Sequence, residues 1–562
     1  MQRPSRLPFH TAVNCLIILL ILSSCYLSPD DDSVSGVVLS QTGPIADAVV
    51  RIQTTDTFIS TNPEGIFILN GLEPDSEFTL TAWKSGYFIA GIENIKPGME
   101  DLEIHLETHA ETDNPSYTWL PSLYHPGEGE NQGCAECHSR AGTDIAFNLP
   151  ADEWKMDSHS QSALNPRFLS MYSGTDILGN QSPLTRYDYA QDYGTFPLPP
   201  DPDQPYYGPG YKLDFPETNG NCAACHTPAT SLNNPYQVDP TEVTGVGSEG
   251  VPCDFCHKIW GINLNPAGMP NDNMPGGLSY EFRRPSEGHQ LFIGPLDDVA
   301  PGEDTYSPLQ EQSQFCAACH YGTFWDTVIY NSYGEWLESP YNDPDTGKQC
   351  QDCHMPPTGV SHFALPEAGG LARNPDTIFS HYMPGAANEE LLQNSVTMSV
   401  EVEPRDDEIT VSVNITNDQA GHHVPTDSPL RHLILVIDSI DSDGNRLIQL
   451  DGPVTPDWVG MGDPSLGYYA GLPGKTYAKV LMERWTQTVP SGSYWNPTKI
   501  VIDNRLAAFE TDISQYSFQI PENRSAVIKV TLIYRRAFLQ LAEQKGWIIP
   551  DIIMEEVQIK YP

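Results

Sequence analysis

The chain has 562 residues, of which 29 are Lys or Arg and 74 are Asp or Glu, a formal net charge of −45 at pH 7. So acidic a molecule repels nucleic acid and anionic lipid headgroups and favours solubility and cationic partners, which excludes nucleic-acid binding. A solvated surface on an exported protein accounts for the charge better than a dedicated docking patch does.

Residues 1–24 read as an export signal, with Arg3 and Arg6 ahead of an apolar run, "AVNCLIILLIL", from Ala12 to Leu22. Eleven residues are too few to span a bilayer as a helix. The following "LSSC" resembles the bacterial lipobox, whose cysteine is lipidated and becomes the first mature residue. That resemblance implies lipid on Cys25 and a lipid-anchored protein of the bacterial cell envelope, facing the periplasm or the outer surface. Without residues 1–24 the balance is 27 basic against 74 acidic residues, or −47. Residues 25–33, with "SPDDDS", form an acidic tether similar to the stretch behind the lipid cysteine of some surface-exposed lipoproteins.

From 34 to 107, period-2 runs such as "DAVVRI", "GIFIL" and "EFTLTAW" alternate with Gly, Pro and Asn, the pattern of a small β-sandwich. This stretch resembles the carboxypeptidase regulatory-like domain. It carries no catalytic constellation, and the resemblance implies a spacer or adhesion module.

The segment 108–394 is rich in Pro, Gly, Asn and Tyr and shows little sustained periodicity. It holds ten of the chain's 12 cysteines, as five Cys-x-x-Cys pairs: Cys134/Cys137, Cys222/Cys225, Cys253/Cys256, Cys316/Cys319 and Cys350/Cys353. Each pair is followed at once by a histidine: His138, His226, His257, His320 and His354. Zinc knuckles ask nothing of that next residue, and a redox dithiol needs only one pair. With only 16 histidines in 562 residues, five in five is no accident. Covalent c-type haem explains every position, the thiols adding to the vinyl groups and the histidine reaching the iron as proximal ligand. Five haems c would give this segment the apolar faces its own side chains lack, so it can fold with short helices and long loops. The helices are expected to begin at or just before each motif.

From 395 to 562 strand patterns return in "SVTMSVEVE", "EITVSVNITND", "RHLILVIDSID", "YSFQI" and "AVIKVTLIYRRAF", with a short helical "FLQLAEQKG". The expected architecture is multidomain: an N-terminal β-sandwich, a loop-rich, mainly α multihaem domain and a C-terminal β-sandwich. The strings "SQFCAACH", "CQDCHMPP", "SHYMPGA" and "AGHHVPTDSPLR" resemble the multihaem cytochromes related to the tetrahaem cytochrome that partners hydroxylamine oxidoreductase. The resemblance spans roughly residues 130–540 and implies electron transfer through closely packed haems with bis-histidine ligation. Five motifs and an added sandwich depart from that tetrahaem relative.

The same resemblance marks His159, His381 and His422 as distal ligands, because their segments match its ligand-bearing ones. His289 and His362 are further candidates. His125, His423 and His432 are expected to be structural, and His105 and His109 to lie on the surface of the first sandwich. An internal repeat adds one inference. Glu153-Trp154 lies fifteen residues after His138 and five before His159, and Glu335-Trp336 lies fifteen after His320 and five before Tyr341. Tyrosine thus stands where the first copy has a histidine, and packing is the first expectation for it, ahead of a place beside an open iron. The favoured function is electron transfer to and from redox partner proteins. An oxidoreductase acting on a small nitrogen or sulfur compound at one open haem is the alternative, and self-assembly into a conductive array is a third possibility.

Overall fold

In the computed structural model the described residues are 32–125, 133–286, 288–405, 407–522 and 524–561. The export signal, Cys25 and most of the acidic tether lie outside them. Among the described residues no helix is long and apolar enough to cross a membrane.

The first β region builds two sheets around one core. In Val34–Ser40, Val34, Gly36 and Val38 point inward while their neighbours are half-buried. This strand pairs antiparallel with Ile66–Leu69 and parallel with Leu102–His105. Gly36 is required there, because a Cβ would stand 2.2 Å from the carbonyl oxygen of Leu102. The second sheet runs Phe58–Ser60, Val49–Ile52, Phe78–Trp83, Ala90–Ile95. Val38 and Phe67 from one sheet meet Val50 and Leu80 from the other.

The middle of the chain has helices of four to eight residues and paired short strands. Helices this short do not persist alone. Local signals start some of them: Pro166 opens Pro166–Ser173 while the Asn165 side chain accepts from the backbone N–H groups of Arg167 and Phe168. The motif helices are Ala135–His138, Ala223–His226, Cys253–Cys256, Gln314–Ala317 and Cys350–His354.

The C-terminal region has a four-stranded sheet, Thr397–Arg405, Glu408–Thr416, Thr511–Gln519, Gln449–Asp451. It shares a core with a five-stranded sheet, Thr498–Asp503, Gly474–Glu483, His432–Asp441, Ala526–Arg535, Ile552–Tyr561. Four of the C-terminal strands, Gln449–Asp451, Gly474–Glu483, Thr498–Asp503 and Ile552–Tyr561, are absent from the strands read off the sequence. Gly474–Glu483 hides its pattern because it is buried on both faces, with Lys479 turned in to donate to the carbonyl of Ile329 at 2.5 Å.

Both sandwiches are docked on the middle segment. Arg51 forks onto Asp297 at 2.7 and 3.1 Å, and the Trp83 indole N–H donates to Thr305 Oγ1 at 3.1 Å. That docking corrects one expectation: His105 is exposed, but His109 is only 5% exposed, its ring edge-on to Phe88 and Trp260 at the joint. At the other end the helix Leu539–Lys545 sends Lys545 Nζ to the carbonyls of Ser170, Thr175 and Pro209.

Candidate functional site

All ten motif cysteines and all five motif histidines line one connected cavity of about 1340 Å³ between the middle segment and the C-terminal sandwich. His159, His381, His422 and His423 line it as well. None of the ten thiols is in a disulfide. Among the described residues no three His, Cys, Asp or Glu side chains converge as a zinc site requires.

Three non-motif histidines face motif histidines across the cavity. The ring centres of His257 and His381 are 6.4 Å apart with planes 18° from parallel, those of His354 and His422 are 6.3 Å apart at 17°, and those of His159 and His320 are 6.2 Å apart at 64°. Two imidazoles bound to opposite sides of one metal, each with a metal–nitrogen distance of about 2 Å, have ring centres about 6 Å apart. The three pairs therefore stand at the spacing of bis-histidine ligation.

The tautomers agree. The Nδ1–H groups of His138, His226, His257 and His354 donate to the carbonyls of Phe363, Ser162, Ile293 and Pro384. His381 and His422 bond in the same way to Phe379 and His423, whereas His159 and His320 use the carboxylates of Asp157 and Asp427. In all eight rings this leaves the Nε2 lone pair free, as a metal ligand needs. Burial holds His226, His354 and His381 down to about 4, so they are neutral and ready to ligate. His320 is the exception: burial pulls its pKa down, but the hydrogen bond and charge of Asp427 outweigh burial and raise it. Asp427 is correspondingly held far below the carboxylate range, because His320 outweighs the upward pull of burial.

The motifs are neighbours. Ser122 accepts the Ala135 N–H on its carbonyl and the Cys253 N–H on its hydroxyl, both at 3.0 Å, which ties the first motif to the third. From the turn leading into the fourth motif, Gln310 donates to the Cys256 carbonyl at 3.2 Å and Ser313 Oγ accepts the Cys350 N–H at 2.9 Å, while Gly276, packed against Ala224 of the second motif, donates to the Ala318 carbonyl at 3.0 Å. The five form one connected set with the fourth motif at its junction.

The other histidines are elsewhere. His289 is exposed, 3.9 Å from Glu303, and His362 bonds Ser361 Oγ beside Phe147; neither lines the cavity or faces a motif histidine. His125 is bonded to Glu249 at 2.7 Å, and His432 is packed between Trp458 and Phe538. Among the described residues no histidine ring faces His138 or His226. The ring of Phe168 is stacked on His226, with centres 3.6 Å apart.

The Glu-Trp repeat is a structural one. Trp154 donates to the carbonyl of Val251, two residues before the third motif, and Trp336 to that of Lys348, two residues before the fifth. Glu153 accepts the backbone N–H of His381, and Glu335 accepts that of His423. Each copy thus grips a loop that carries a cavity histidine. Tyr341 is stacked on Phe509 at 5.2 Å and packs against Gly421. The sequence reading missed Asp157, Asp427 and Glu335, whose signal was slight: an acid two residues before His159, one five after His422, and one inside the repeat.

No family model matches the chain, and no curated protein matches it. Among solved structures it is similar to a penta-heme cytochrome c552 from Thermochromatium tepidum, with 18% identity, 76% of this chain and 97% of that chain covered, and a TM-score of 0.51. That likeness shows the fold. A cohesin–X-dockerin complex from Acetivibrio cellulolyticus is matched over 14% of this chain and 58% of that one, at 18% identity and a TM-score of 0.13, too slight to carry an argument.

Proposed function

We propose that the chain is a five-haem c-type cytochrome that carries electrons along closely packed haems. The observation that carries this reading is the set of three histidine pairs, 6.2 to 6.4 Å apart, each joining a motif histidine to a distant one across a cavity lined by all five motifs. The ten cysteines would hold the haems as thioethers, and His138, His226, His257, His320 and His354 would be the proximal ligands. His159, His381 and His422 would complete the irons of His320, His257 and His354. Bound, the haems supply reversible one-electron storage at iron. The chain supplies fixed imidazole tautomers, one cavity lined by all five motifs, and hydrogen bonds that tie the motif segments together. Intact mass after maturation in a host that assembles cytochromes c should exceed the polypeptide by five haems; zinc in place of haem would overturn the reading.

His138 and His226 favour a second reading, because no histidine ring faces either among the described residues. One of their irons would then be open, and the protein would be an oxidoreductase for a small nitrogen or sulfur compound. A carbon monoxide difference spectrum of the reduced protein separates the two, since only a vacant or labile iron binds it. Export, lipid on Cys25, attachment at the bacterial envelope and redox protein partners belong to the same proposal. Cys25→Ser should release the protein from membranes.

A further inference from the structure

Of the eight cavity histidines whose Nδ1–H is hydrogen-bonded, six give it to a backbone carbonyl. The other two give it to carboxylates: His159 to Asp157 Oδ1 at 2.6 Å, and His320 to Asp427 Oδ2 at 3.2 Å. These two rings are also the ones that face each other, 6.2 Å apart. Two carboxylates therefore converge from opposite ends on a single candidate iron, and among the described residues no other pair of facing rings is held in this way.

Neither carboxylate is there by chance of a mobile side chain. Asp157 is 1% exposed, and its oxygens also accept the backbone N–H groups of His159 at 2.8 Å and Met383 at 3.1 Å. Asp427 sits on the loop that leaves the C-terminal sandwich, with its second oxygen on the N–H of Ser332 at 3.1 Å. A carboxylate is a charge-assisted acceptor, about twice as strong as a neutral carbonyl. A metal-bound imidazole bonded to it becomes more basic and favours the more oxidised metal.

We infer that Asp157 and Asp427 are positioning residues that lower the reduction potential of the iron held by His159 and His320, below what the same iron would have with neutral acceptors. The inference rests on the haem reading above. Its site is the motif at the junction, since the segment 310–318 bonds the third motif through Gln310, the fifth through Ser313 and, by way of Gly276, reaches the second. The two aspartates thus set how readily electrons cross between the branches.

The test is a potentiometric titration of the fully matured protein, followed by visible and EPR spectroscopy, in Asp157→Asn, Asp427→Asn and the double variant. Each single change should raise the ferrous-to-ferric ratio of one and the same component at least tenfold at fixed potential, about 59 mV for one electron. The double variant should raise it further and leave the remaining components in place. No movement, or movement of different components in the two variants, overturns the inference. If an Asn variant fails to mature, near-infrared magnetic circular dichroism of the wild-type ferric protein carries the test: one low-spin haem should show a band displaced toward imidazolate ligation, and no displaced band overturns it. His159→Ala keeps the two failures apart. If that variant leaves every haem low-spin, the ligand reading itself is wrong; if it yields one high-spin haem while the potentials ignore both Asn variants, only the carboxylate inference falls.

Discussion

Glu335 is the group whose removal says most about how the C-terminal sandwich and the cavity are joined. Its carboxylate is 4% exposed and faces Arg505, whose guanidinium donates to it at 2.6 Å. Its second oxygen accepts the N–H of His423 at 3.2 Å and the hydroxyl of Thr426. Removing one partner of a buried ion pair costs about 3–5 kcal/mol. Arg505 keeps a forked bond to Asp503 at 2.7 and 2.9 Å, which places Glu335→Ala at about 3 kcal/mol, the lower end of that range. That free energy should surface in the loop 420–427, so amide exchange there should accelerate about 100-fold. If His422 and His354 share an iron as proposed, loosening the loop should also free His422 from it and turn one haem partly high-spin. Unchanged protection of the loop in a folded variant would refute the energetic argument; a loosened loop with every haem still low-spin would refute the ligand assignment.

Burial pushes Asp304 up to about 7, with Glu303 adding to the rise and Lys258 opposing it. The folded state then holds a proton that the unfolded chain has lost between about pH 4 and 7, so stability falls as pH rises through that window. Asp304→Asn should remove the fall, raising stability at pH 8 by roughly 2–4 kcal/mol and leaving pH 4 unchanged; thermal unfolding at the two pH values checks it. Lys545→Met strands three buried carbonyls, and even after relief of the buried ammonium it should cost about 3 kcal/mol. Faster amide exchange across 539–547 would show that cost. Ferric EPR should contain one strongly anisotropic low-spin signal from the 64° pair of His159 and His320 and two rhombic signals from the near-parallel pairs.

What could be read in the sequence was whatever chemistry fixes locally. Five Cys-x-x-Cys-His units declare themselves because the covalent attachment proposed for them needs adjacent residues, and alternating runs such as Glu408–Thr416 show which face is buried. Pairing was not legible, since it joins residues far apart: Asp427 lies 107 positions from His320, and His159 faces the fourth motif's histidine although the first motif is nearest in the chain. Resemblance singled out His159, His381 and His422, and those are the rings that face motif histidines. Resemblance gave no partner for any of them, and His289, an equal of His362 by context, proves to be a surface residue. His109 was misjudged because its burial depends on docking, which the strand pattern of an isolated sandwich does not encode.

Docking also gives the N-terminal sandwich more to do than extend the chain. Asp298 accepts the Thr54 N–H at 2.7 Å from the sandwich and Arg373 at 2.8 and 3.0 Å from the middle segment. Arg373 lies over the ring of Phe363, whose carbonyl holds the Nδ1–H of His138. A few residues from Asp298 in the same strap, the Ile293 carbonyl holds His257. The first sandwich therefore braces the acceptors of the first and third motif histidines. The second does the same for the fourth through Asp427, and supplies His422 opposite the fifth. Because the middle segment's own helices are too short to stand alone, its ring orientations are set from both flanks. A perturbation at either docking surface should reach the cavity through those hydrogen bonds before it unfolds a sheet.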